Sequence, residues 1–102
     1  MNEIIRGTTP TIQYTFSVVA VSNINKAFLT IKAGGSVVIT KDIIDAEVGQ
    51  KSLSWTLSQA DTLKLTFPEC AIMCNWILND GTRGASKETI VHISENHLAE
   101  VV

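Results

Sequence analysis

Apolar and polar positions alternate along most of this chain. Ile12, Tyr14 and Phe16 alternate with Thr11, Gln13, Thr15 and Ser17, the period-2 pattern of a strand with one buried face. Thr8-Thr9-Pro10 leads into it in extended form, since proline disfavours the α region at the residue before it. Ala27, Leu29, Ile31 and Ala33 predict a second strand over 26–33. Gly34-Gly35 then supplies a hairpin turn, because both residues take positive φ without steric cost. Val37-Val38-Ile39-Thr40-Lys41 is the returning strand.

Residues 42–50, with Ile43, Ile44 and Val48, fit either a further short strand or an irregular crossover. Leu53, Trp55 and Leu57 restore a clear alternation with Ser52, Ser54 and Thr56. Ser58 then reads as a helix N-cap, with Asp61 three residues on to favour the helix start. One or two helical turns are expected here, ended by Phe67-Pro68. The most regular strand is 69–79, with Cys70, Ile72, Cys74, Trp76 and Leu78 on one face. Asp80-Gly81 marks a tight turn, and 83–93 returns. Its early part, Ala85-Ser86-Lys87-Glu88-Thr89, is polar on both faces and reads as an edge or a bulge.

About seven short strands with one short crossover helix predict an all-β fold, an antiparallel β-sandwich, with a small barrel as the second architecture. The 102 residues suit one domain spanning 1–102. An apolar fraction of 45% supplies enough core to offset chain entropy. The net charge of −2, with lysines scattered singly, does not make the basic footprint of a nucleic-acid binder or a polybasic membrane patch. The N-terminal residues do not form the apolar core of a signal peptide, so synthesis in the cytoplasm without export is expected. The tail 94–102 carries Leu98, Val101 and Val102, apolar residues able to dock on the body or on another subunit.

Candidate chemistry is sparse. Cys70 and Cys74 on one strand place their Cα atoms about 13 Å apart, beyond disulfide reach, and read as buried reduced thiols. His92 and His97 lack the further ligands of a zinc site. Asp42, Asp45, Glu47 and Asp61 lack the oxygen-ligand spacing of a calcium loop. There is no nucleophile elbow and no Ser/His/Asp set in a plausible order. The chain is therefore expected not to be an enzyme and to need no cofactor. Trp55 and Trp76 fall in phase with buried faces; exposed instead, they would form a sugar-stacking platform. The most polar, turn-like run is Asn79-Asp80-Gly81-Thr82-Arg83-Gly84. It has two readings: a simple turn, or a contact loop in which Asp80, Thr82 and Arg83 meet a partner.

Ile5-Arg6-Gly7-Thr8-Thr9-Pro10-Thr11 ahead of an alternating strand resembles the opening of small structural proteins from phages and prophages of Gram-positive bacteria. The N-terminal immunoglobulin-like domain of phage baseplate upper proteins is one such family. Leu29-Thr30-Ile31-Lys32, the run from Leu53 to Thr62, and Asp80-Gly81-Thr82-Arg83-Gly84-Ala85-Ser86 are also similar to stand-alone prophage proteins of this length. Thr8 stands where that family often has aspartate, and a receptor-binding or stalk extension is not expected. The resemblance implies an immunoglobulin-like sandwich acting as a virion, tail or baseplate component. Its partners would be other phage structural proteins or copies of itself, and its location the virion or the bacterial cytoplasm. A carbohydrate-binding or adhesin-like sandwich is the alternative function.

Overall fold

The computed structural model describes residues 3–17 and 20–96. Within them lie nine strands and one short helix: β1 (Glu3–Ile5), β2 (Thr11–Thr15), β3 (Ile24–Ala33), β4 (Ser36–Asp42), β5 (Glu47–Val48), β6 (Ser52–Thr56), α1 (Gln59–Leu63), β7 (Glu69–Leu78), β8 (Arg83–Ala85) and β9 (Thr89–Ser94). One sheet has the order β1-β9-β7-β3-β4, with β8 sharing the flank of β7 that β9 occupies further along; the other has the order β2-β6-β5. The sheets do not close into a barrel. With β2, β6 and β5 as strands B, E and D, and β3, β4, β7 and β8–β9 as C, C′, F and G, this is the immunoglobulin order.

The predicted strands appear where alternation places them. Each inward set is buried, namely Ala27, Leu29, Ile31 and Ala33 on β3, Leu53 and Trp55 on β6, and Cys70, Ile72 and Cys74 on β7. These inner faces interdigitate into one core, as expected for aligned sheets. The β3–β4 hairpin turns on Gly34 and Gly35, with φ of 62° and 83°. Both central residues lie in the left-handed region, so the turn carries the twist that suits paired strands.

Four features refine or depart from the sequence-based expectation. The first is β1, which pairs with β9 in parallel, Glu3 opposite His92 and Ile5 opposite Ser94, so the sandwich is not antiparallel throughout. Second, the stretch 83–93 is split into β8 and β9. Between them Ser86 keeps contact with β7 in two ways: its N–H donates to the Cys74 carbonyl at 2.8 Å, and its hydroxyl accepts from the Cys74 N–H at 2.9 Å. Third, both readings of 42–50 hold in part, since a 3-10 turn at Ile43–Asp45 precedes the two-residue β5. Fourth, Trp76 and Leu78 pack against the core but are only half-buried at the end of β7. His97, Leu98, Val101 and Val102 lie outside the described residues.

The helix begins as its sequence dictates. The Ser58 hydroxyl accepts from the Asp61 N–H at 3.1 Å, and the Asp61 carboxylate accepts from the Ser58 N–H at 2.9 Å, a reciprocal capping box. Asp61 is 7% exposed and meets Lys41 Nζ of β4 at 2.8 Å. Burial by itself would raise the Asp61 carboxyl. The Lys41 and Ser58 bonds together outweigh it and hold the group below its ordinary value. A carboxyl lowered in the folded state stabilises above its unfolded pKa, and that contribution is lost as pH falls through the folded value. Asp61→Asn is therefore expected to be less stable than the parent at neutral pH. The gap should close on acidification below about pH 4, read from urea midpoints across a pH series. An equal gap at every pH would remove the ionised pair as its cause.

Candidate functional site

The contact loop expected at Asp80, Thr82 and Arg83 forms the tip of the β7–β8 hairpin. The Leu78 N–H donates to the Thr82 carbonyl at 2.8 Å and the Gly81 N–H to the Leu78 carbonyl at 2.9 Å. Asp80 Oδ1 accepts from the Thr82 N–H at 2.9 Å, which holds the exposed carboxyl below its ordinary value. Asp80 is thus engaged by its own loop, and no ion pair joins it to Arg83 among the described residues. Arg83 stands opposite Ile77 on β8. The three side chains are exposed, but the loop's bonding is that of a turn.

The tryptophans do not make a stacking platform. Trp55 is 1% exposed, and its Nε1 donates to the Asp42 carbonyl at 2.9 Å. The ring of Trp76 meets Phe16 edge-on at 5.1 Å between centroids. It also lies against Gly84, where an added Cβ would fall 2.4 Å from the indole. Cys70 and Cys74 are buried and free of disulfides. Burial pushes both thiols up to about 11, with Glu69 adding to the effect at Cys70, so neither is a thiolate near neutrality. Among the described residues no group of three or more His, Cys, Asp or Glu side chains is placed to hold a metal ion.

Two other features stand out. One is the joint at Arg6-Gly7-Thr8, where the chain leaves the larger sheet for the smaller. The Thr8 N–H and hydroxyl both donate to the Ile5 carbonyl, at 3.3 and 2.6 Å, and Gly7 sits at φ 81°, where a side chain would be strained. Thr62 of α1 is fully buried beneath this turn. Its Oγ1 accepts from the Gly7 N–H at 3.0 Å and donates to the Thr8 carbonyl at 2.9 Å. Arg6 donates to the Leu63 carbonyl at 2.9 Å, satisfying an orphan carbonyl at the helix end, and meets Glu95 at 3.2 Å. The motif that carries the family resemblance is therefore a structural clasp between the N-terminus, α1 and the end of β9.

The other feature follows from that clasp. Because β1 is committed to β9, the flank of β2 away from β6 has no strand beside it among the described residues. In the immunoglobulin order that place belongs to the first strand. The Leu57 N–H donates to the Pro10 carbonyl at 2.9 Å, and the Phe16 N–H to the Lys51 carbonyl at 2.7 Å. Carried through the β2–β6 register, this phase aims the backbone of Ile12 and Tyr14 at β6. The N–H and C=O groups of Thr11, Gln13 and Thr15 then point outward. A cleft of about 370 Å³ opens along this flank, lined by Thr11, Ile12, Gln13 and Tyr14 from β2, Ile72 from β7, and Thr89 and Val91 from β9. Burial raises the Tyr14 phenol, with a bond to Ser86 opposing it. The alternation marks β2 as a strand but does not show which flank a neighbour leaves open.

No protein-family model matches the chain, and no curated protein is similar enough to count as a relative.

Proposed function

We infer that this protein is a non-enzymatic structural component of a phage or prophage tail or baseplate, working through contacts with other polypeptides. The observation that carries the contact-module part is the flank of β2 that no strand covers among the described residues. It is a five-residue edge without charge or internal proline, so it lacks the usual devices that stop a strand from pairing. Two other edges are short: β5 has two residues, and β1 has three with Glu3 among them. β4 is longer and carries its charges, Lys41 and Asp42, at one end. The phage assignment rests on the resemblance of Arg6-Gly7-Thr8-Thr9-Pro10 and its flanking strand pattern to small prophage structural proteins.

The test is mass spectrometry of tail particles purified after prophage induction of the source strain. Peptides of this chain should co-purify with the particles in a fixed ratio to known tail proteins. Their absence from intact particles, or a gene lying within a metabolic operon, overturns the reading.

A further inference from the structure

We propose that the open flank of β2 takes up an extended, uncharged terminal or linker segment of a partner polypeptide, which adds as a fourth strand to the β2-β6-β5 sheet. This deepens the contact-module reading and rests on it. Three properties of the cleft specify the occupant.

First, the outward backbone groups of Thr11, Gln13 and Thr15 offer alternating donors and acceptors along one line. An added β-strand satisfies that array with main-chain bonds, while a compact small molecule cannot follow it over the roughly 17 Å of a five-residue strand. Second, none of the seven lining residues is charged. An occupant carrying a charge on its inward face would lose hydration without a counter-charge, so the complementary segment is neutral and places apolar side chains toward Ile12, Ile72 and Val91. Third, Thr89 and Val91 of the larger sheet line the cleft together with β2 of the smaller one. The incoming strand must slide between the flanks of two layers. An edge strand of a second sandwich brings its own facing sheet about 10 Å behind it, and that sheet would run into β1 and β9; a free segment brings none. The occupant is thus a chain end or linker of a partner, not the folded edge of a second copy.

The experiment follows amide hydrogen exchange by NMR on the full chain. The probe is a blocked hexapeptide of alternating threonine and valine, and the control is the same peptide with aspartate replacing valine. The probe is expected to slow exchange at Thr11, Gln13 and Thr15 by at least about tenfold while leaving the β4 edge unchanged, and the control to do nothing. Thr89→Lys, at the exposed rim, should abolish the slowing in a protein that still folds. Unchanged exchange at millimolar probe overturns the proposal. Protection already present without peptide, at every protein concentration, overturns it in favour of self-coverage. Protection that grows with protein concentration overturns it in favour of a second copy. Failure of the tail assignment reads differently: the chain is then missing from particles, whatever the three amides do.

Discussion

Trp55→Ala is expected to leave the chain largely unfolded at room temperature. Trp55 fills the middle of the core from β6 and is 1% exposed. Truncating a buried tryptophan costs about 3–5 kcal/mol through lost transfer energy and the cavity left behind. A second loss adds to this. The Trp55 indole N–H donates to the Asp42 carbonyl at 2.9 Å, and that bond ties β6 to the end of β4 across the two sheets. Domains of this size have a total stability of only about 5–15 kcal/mol. Trp55→Phe separates the two contributions, since it keeps most of the apolar volume and drops the hydrogen bond. It should fold, with a loss of about 1–3 kcal/mol, the cost of leaving the part-buried Asp42 carbonyl without this bond. Urea unfolding followed by circular dichroism reads both variants. A Trp55→Ala protein as stable as Trp55→Phe would mean that the core refills the space.

The second large effect is expected at Thr62, a residue with no exposed surface. Thr62→Val keeps shape and volume but removes the oxygen that serves the Gly7 N–H and the Thr8 carbonyl. Both groups belong to the turn that carries the chain from β1 to β2, so the substitution strands a donor and an acceptor together. A loss of about 2–4 kcal/mol is expected, with exchange of the Gly7 amide speeding up more than exchange in β3. Thr62→Ser restores the hydroxyl and should recover most of the loss. A Thr62→Val protein within about 0.5 kcal/mol of the parent would show that water serves the two groups instead.

Much of this architecture is legible in the sequence because burial acts on neighbouring residues. A strand against a core must alternate, so Ile12, Leu29, Leu53 and Ile72 declare their faces at once. The Gly34-Gly35 turn and the Ser58–Asp61 capping box are equally local, since each depends on backbone sterics or a side chain reaching three residues along. The run Arg6-Gly7-Thr8 is plain in the sequence, but nothing local says what it does. Its role as a clasp on Thr62 and Leu63 involves residues more than fifty positions away. Likewise the Asp61 cap is a sequence feature, while its ion pair with Lys41 exists only because β4 ends beside α1.

The sequence by itself thus determined an all-β chain, its main strands, its two clearest turns, its capped helix and the residues that form the core. Partner choice among strands was decided only in three dimensions. β1 has three residues, too few to show a period, and its parallel match to β9 depends on contacts spanning nearly the whole chain. That single choice left β2 with one flank that no strand covers among the described residues. Local chemistry is written in adjacent residues; a vacancy beside a strand is written in where every other strand has gone.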